Sequence, residues 1–518
     1  MNSLSLRGIK IGVKNERELK MINFLGIDIG STGIKGIVVD EEGEILQTYN
    51  YPLTIDYPKS GYAEQHPDDW WEGVKVVLKE VSANYIISHI SFSGQMHTLV
   101  TLDDNNKIIR PAIMWCDQRT HKECIEATEK LGGEHEVLKR VGNPFLEGFT
   151  LPKILWLKAN EPENYKKINK IMLPKDYIVF KLTGNIGTDY SDASGTACLN
   201  IVSNQWDYEL LDKLEINKQI FPKIYDSTAI RGSLIPELSE ELGWDNTYIV
   251  SGGADNAVAA LGLGISNASD CMVSIGTSGT VLVVTDNKNP DETGKLHYFI
   301  HVLNDKKYYM GVMLSATNSL NFIKNNFFKD ITWQEFEAKA SLSPAGANGL
   351  IFLPYLNGER TPHRDAFARG VIYGLSSKHN ENDIVRCALE GVAFGLRDSF
   401  ELNKNKGAIN KIKIVGGGAK NLLLCRILAT NFKSKVELPL IDEGAAYGAA
   451  MLAAMGSGMN KEDVLSWYKT NKYIEPTDKL SGFYSEYYEV YKSLYHNLKE
   501  TYKDSYSILE RYSNILIS

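Results

Sequence analysis

Apolar runs and polar breaks divide the chain into short strands and amphipathic helices. The run Phe24 to Asp28 precedes Gly30-Ser31-Thr32-Gly33, and a second run, Ile37 to Val39, follows. Two short strands about a Gly-rich turn predict a β-hairpin. A turn at Asp40-Glu41-Glu42-Gly43 leads to a third strand over Glu44 to Tyr49. His66-Pro67-Asp68-Asp69 marks a helix start, with proline early and acids in the first turn, and Trp70, Val74 and Val77 follow at helical spacing. Ile86 to Ser91 predicts a strand and Pro174 to Leu182 a helix. The alternation is that of an α/β protein. At the other end, Tyr484 to Tyr512 predicts a helix whose apolar face packs back on the body.

The first hairpin has an echo. Asp28-Ile29-Gly30-Ser31-Thr32-Gly33, running on to Val38-Val39-Asp40, aligns without gaps with Ser274-Ile275-Gly276-Thr277-Ser278-Gly279, running on to Val284-Thr285-Asp286. A repeated supersecondary unit implies two related domains, each opening with the same hairpin. Asp28 in the first copy is Ser274 in the second, so one hairpin brings a carboxylate. The expected organisation is an N-terminal extension, 1–22, outside the fold; a first domain, 23–246; a second domain, 247–475, opened by the strand Tyr248 to Val250; and a C-terminal helical segment, 476–518.

A length of 518 residues accommodates several domains. The 64 acidic against 56 basic residues give a formal charge of −8, the opposite of the excess a nucleic-acid binder carries. Met1 to Lys20 holds five basic residues and no apolar core, so it is not a secretory signal, and no stretch reaches the roughly 20 apolar residues that span a bilayer. The six cysteines are scattered, without a C-x-x-C pair. That spacing argues against a disulfide framework or a Cys-rich metal site and for a reduced, cytoplasmic setting.

Five stretches could carry chemistry. The two hairpin turns free backbone amides for an anion, and Ser31, Thr32, Thr277 and Ser278 add hydroxyls, so a facing pair could hold a polyphosphate. Val415-Gly416-Gly417-Gly418-Ala419-Lys420-Asn421 lies between a strand and a helix, where bare backbone could accept a flat ring or simply form a tight turn. Ser251-Gly252-Gly253-Ala254-Asp255-Asn256 puts Asp255 at a strand end and a helix start. There it reads either as a cap or as a base that accepts a hydroxyl proton during phosphoryl transfer. Ser93-Gly94-Gln95-Met96-His97 offers polar groups for a polyol and an apolar wall. Gly444-Ala445-Ala446-Tyr447-Gly448-Ala449-Ala450 reads as close helix packing. There is no G-x-x-x-x-G-K-[ST] loop and no H-E-x-x-H helix.

Together these motifs resemble the FGGY family of carbohydrate kinases, from about Phe24 to past Gly456. The similar stretches include Gly26-Ile27-Asp28-Ile29-Gly30, Ser93 to His97, Pro174-Lys175-Asp176-Tyr177, Ser191 to Thr196, Gly252 to Asn256, Gly276 to Gly279 and Leu353 to Pro362. The resemblance implies an α/β fold of two ribonuclease-H-like domains, of the actin/Hsp70 ATPase type, with an interdomain cleft. It implies transfer of the ATP γ-phosphoryl group to a ketopentose hydroxyl, D-xylulose being the expected acceptor. Carried over by motif, Asp255 is the general base and Asp28 organises Mg²⁺ through water. Met96, His97, Asp255 and Asn256 contact the sugar. Ser31, Thr32, Gly33 and Lys35 form the first phosphate hairpin, and Gly276, Thr277 and Ser278 the second. Gly417, Gly418 and Asn421 form the adenosine site. Relatives commonly form homodimers.

Three departures stand out. Ser31 replaces a usual Thr, Thr98-Leu99 follow His97 where small residues are common, and Cys116 replaces a usual Asn. The last two put the sugar in doubt more than the chemistry. The alternatives are another polyol, ketose or sugar acid such as gluconate, and a non-catalytic ATP- or sugar-binding regulator of the same fold. A sugar acid needs a cation facing its carboxylate, and the sequence does not place one.

Overall fold

The computed structural model describes residues 22–516, apart from Asn304, Asn405 and Asn410. The segment Met1 to Lys20, expected to stand outside the fold, lies outside the described residues.

The first half contains strands β1 (Asn23–Ile29), β2 (Gly33–Val39) and β3 (Ile45–Pro52), helix α1 (Pro67–Ser82) and strand β4 (Ile87–Gly94). It continues with α2 (Tyr190–Ser194), β5 (Ile230–Ser233), β6 (Tyr248–Val250) and α3 (Asp255–Gly262). The second half contains β7 (Cys271–Ile275), β8 (Gly279–Thr285), β9 (His297–Ile300), β10 (Lys307–Met313) and α4 (Thr317–Phe327). Then come β11 (Lys411–Val415), α5 (Leu422–Phe432), β12 (Lys435–Pro439), α6 (Gly444–Gly456), β13 (Thr470–Ile474) and α7 (Asp478–Leu516).

Local chemistry accounts for the first of these. Residues Asn23 to Ile27 of β1 are all buried, as befits a strand covered on both faces. α1 starts with Pro67 at its first turn, a backbone already set for a helix, and the His66 ring accepts the Asp68 amide at 3.3 Å.

The two sheets share one plan. In the first, antiparallel β3-β2-β1 continues into parallel β4 and β6 and closes on antiparallel β5. In the second, antiparallel β10-β8-β7 continues into parallel β11 and β12 and closes on antiparallel β13, with β9 added at the β10 edge. The echo in the sequence is therefore a duplicated domain. The copies differ by one residue in register. Asp28 faces Lys35, whereas Ser274 faces Thr280 and not Val281, the residue aligned with Lys35, so the second turn is the tighter one.

The expected boundary at 247 is corrected by the sheet. β6 pairs with β4, and Gly253–Ala254 pairs with Ser93–Gly94, so the strand expected to open the second half completes the first. Edge pairing decides this, and a three-residue strand carries no sequence mark of its partner. Asp255 thus hangs from the first sheet. The chain crosses after α3 and returns with α6, which packs on β1. A Cβ on Gly26 would stand 2.0 Å from the Ala446 carbonyl oxygen, and one on Gly448 would stand 1.9 Å from that of Val258 in α3. The Gly/Ala run is the means of that backbone approach. One apolar core fills the first half, another the second, and a third joins them through α3 and α6. On α7, Tyr484, Tyr488, Tyr491, Tyr495 and Tyr502 recur at helical spacing and are buried in the second core.

Candidate active site

Between the halves lies a cavity of about 210 Å³, walled by Met96, His97, Trp115, Phe149, Asp255, Asn256, Ser278, Thr280, His297, Phe299 and Arg360, among others. Asp255 reaches it through a strained approach. Gly252 has φ +75°, and a Cβ there would lie 2.1 Å from the Phe92 carbonyl oxygen, so only glycine lets the chain close on β4 before turning into α3. Ala254, not Asp255, occupies the N-cap position, which removes the capping role. Oδ1 of Asp255 accepts the Asn256 amide N–H at 2.6 Å and its side-chain Nδ2 at 2.8 Å. Burial, and then the nearby Asp28 charge, push the Asp255 carboxyl up to about 7.

Asp28 sits on β1 beside Ser93 of β4. Burial raises its carboxyl above the ordinary range, against the lowering effects of Ser93 and Lys35, and its Oδ1 is buried without a hydrogen-bond partner. Such an oxygen suits a cation or an ordered water. Among the described residues there is no cluster of three or more His, Cys, Asp or Glu that could hold a metal by itself. A hydrated Mg²⁺ held by one carboxylate and by substrate phosphates needs no such cluster.

The residues expected to contact the sugar converge. Asn256 Nδ2 also points to Met96 Sδ at 3.8 Å, so the amide is tied to both the acid and the wall. His97 holds a left-handed backbone, φ 67°. Its Nδ1 meets the Gly195 carbonyl, so that nitrogen carries the proton and Nε2 is left as an acceptor. Burial, and then Lys153, hold the ring neutral by lowering it to about 3. Thr98 and Leu99 do not line the cavity. Thr98 acts at one remove, its Oγ1 accepting the Trp115 amide at 3.1 Å.

The two turns border the same cleft. Ser278 lines the cavity, and Ser31 Oγ accepts Trp115 Nε1 at 2.8 Å from the other side. The Gly30 amide donates to Gly33 and the Gly276 amide to Ser278, so both are spent inside their own turns. Gly276 therefore shapes the second turn and offers no N–H to a phosphate. The amides of Ser31, Thr32, Thr277 and Ser278 donate to no protein group among the described residues. The Gly276 and Thr277 carbonyls receive the amides at the start of α4, which fixes the second turn. Lys35 is engaged, its ammonium forming an ion pair with Glu443 just before α6.

Gly417, Gly418 and Asn421 line a separate cavity of about 490 Å³ with Thr317, Trp333, Glu337 and others. Asn421 caps α5 by accepting the Leu424 amide at 2.8 Å, so its Oδ1 is taken and its Nδ2 remains for a ligand.

Arg360, Trp115, Phe149, His297 and Phe299 join the cavity without having been picked out as site residues. Arg360 lies in the stretch Leu353 to Pro362 that carries the family likeness, the one available signal. Among the described residues no carboxylate lies within ion-pair distance of its guanidinium. The adjacent Glu359 carboxylate is turned to the Leu314 and Arg360 amides.

A duplicated ribonuclease-H-like fold, with a carboxylate over a cleft and two glycine turns across it, defines a phosphotransferase acting on a small polyhydroxy acceptor. Residues 23–262 match the N-terminal domain, and residues 271–457 the C-terminal domain, of the FGGY family of carbohydrate kinases. The chain belongs to that family, whose members use ATP as phosphate donor. It is 44% identical over 448 residues to a xylulose kinase of Lactococcus lactis, covering 85% of this chain and 89% of that one. Among solved structures it is similar to a ligand-bound xylulose kinase from Lactobacillus acidophilus (TM-score 0.89, 28% identity, 93% and 99% covered). It is equally similar to a gluconate kinase from the same organism (TM-score 0.89, 28% identity, 94% and 100% covered). No helix among the described residues is long and apolar enough to cross a membrane.

Proposed function

We propose that the chain transfers the γ-phosphoryl group of ATP to D-xylulose, with Asp255 as general base. The observation that carries the chemistry is the Asp255 carboxylate facing the cavity with its acidity matched to neutral pH. The acceptor is proposed from the named relatives. Asp255 takes the hydroxyl proton as the oxygen attacks. Met96, His97 and Asn256 hold the sugar against it. The paired turn amides and hydroxyls receive the charge that spreads over the transferred group. Mg²⁺, held by Asp28 through water, would neutralise the phosphate oxygens. The apolar walls of the cavity exclude solvent, which would compete as acceptor. Gly417, Gly418 and the Asn421 amide would hold the adenosine. Six free cysteines support a reduced, cytoplasmic setting.

A second reading, a sugar-acid acceptor such as gluconate, is favoured by one observation. Arg360 supplies the cation that such a substrate needs. ADP release measured over D-xylulose, other ketoses, polyols and gluconate decides between them. Turnover with D-xylulose is expected. Turnover confined to gluconate would replace it, and no turnover with any acceptor would favour the regulator.

A further inference from the structure

Two motifs of the family likeness, Lys175-Asp176 and Ser191 to Gly195, do not line the cavity that holds Asp255, yet they meet in a buried ionic cluster. The Lys175 ammonium lies 2.6 Å from Asp176, 3.0 Å from Asp189 and 3.1 Å from Asp192, and all four side chains are 0–1% exposed. Asp189 is saturated. Its Oδ2 accepts the Ser191 amide at 2.9 Å, the Ser191 hydroxyl at 2.5 Å and the Ser227 hydroxyl at 2.8 Å, while Oδ1 takes Lys175 and the Asp192 amide. The Ser191 proton is thereby committed to Asp189, and its lone pairs can only accept. What they accept is the amide of Ala254, at 2.9 Å, the residue before Asp255. Gly253 leaves the room, since a Cβ there would stand 2.8 Å from the Ser191 oxygen.

The same short turn reaches the other walls. The Gly195 carbonyl fixes the proton on His97, and Ser194 Oγ accepts the Ile300 amide of β9 at 3.1 Å, on the strand that carries His297 and Phe299. We propose that Ser191 is a positioning residue. Held by the Lys175–Asp189 pair, it sets the backbone on which Asp255 stands, and its turn ties that base to the sugar walls of both domains. The inference rests on Asp255 as the base. With its proton on Asp189 and its lone pair on the Ala254 amide, the Ser191 hydroxyl has one arrangement, which is what a base aimed at a single hydroxyl needs.

Ser191→Ala removes the acceptor of the Ala254 amide. Ser227→Ala removes a different hydroxyl from the same aspartate and leaves that amide alone. Both are compared with wild type by ADP release with the acceptor active in the panel above, rates being normalised to sites titrated calorimetrically with ADP. Ser191→Ala is expected to lower kcat per site at least about tenfold with KM for ATP within about twofold, and Ser227→Ala to stay within about twofold in both. Equal losses in the two variants, or a Ser191→Ala loss that vanishes on normalisation, overturn the proposal. Asp255→Asn is run alongside. Wild-type turnover there removes the base and the proposal with it. An inactive Asp255→Asn beside a Ser191→Ala that matches Ser227→Ala removes the positioning role alone. Should Ser191→Ala not fold, Ser191→Cys, with a weak sulfur acceptor, is read the same way.

Discussion

The charge on Asp28, a strand residue of the first hairpin, acts on Asp255, the first residue of α3, and adds to burial in lifting the Asp255 carboxyl to about 7. A base at that value is protonated below pH 7 and idle. kcat/KM for the sugar should therefore rise with pH through about 7 and level above it, as read from a pH–rate profile. Asp28→Asn removes the charge that adds to burial, so the acid limb should move to lower pH in whatever activity that variant retains.

Asp255→Asn should lower kcat by about 10²–10⁴-fold while ADP still binds, as calorimetry would show. The same variant should be more thermostable than wild type at pH 8, with a smaller advantage at pH 5. A carboxyl raised in the folded state holds its proton where the unfolded chain has lost it, so folding is penalised as pH rises from the ordinary carboxylate value through about 7. The amide carries no such penalty. A lower melting temperature for the variant at pH 8 would contradict the burial of this charge.

Lys35 pairs with Glu443 where a nucleotide phosphate is expected. Both side chains are about one-third exposed, 34% and 32%, so the pair is worth about 1 kcal/mol or less. Glu443→Gln should free the ammonium and lower KM for ATP by no more than about fivefold. Lys35→Ala should raise it. An unchanged KM in both would take Lys35 out of the phosphate site.

Gly26→Ala should destabilise the whole molecule by about 3 kcal/mol or more, because the added carbon meets helix backbone that cannot yield without moving α6 off β1. Gly482→Ala, on α7, meets nothing within 4 Å and serves as the matched control. Chemical denaturation of the two variants measures the difference.

Much of the fold was legible because its signals are local. The hairpin of β1 and β2, the proline-started α1 and the tyrosine-striped α7 each follow from spacing along a few turns of chain, and the echo at Ser274 exposed the duplication. The domain boundary was not legible. Whether Tyr248–Val250 joins one sheet or the other depends on which edge it meets, and three residues carry no record of that. Arg360 was not legible as a site residue for the same reason, since only folding brings its loop beside Asp255.

Sequence alone determined the kind of chemistry, because the residues that need glycine turns, a helix-start carboxylate and small-residue packing must be adjacent in the chain to work. Tertiary structure decided the rest. It set the acidity of Asp255, gave Lys35 its partner and placed a cation in the cavity wall. Each of these depends on burial or on a neighbour distant along the chain, and neither exists until the two halves close on one core.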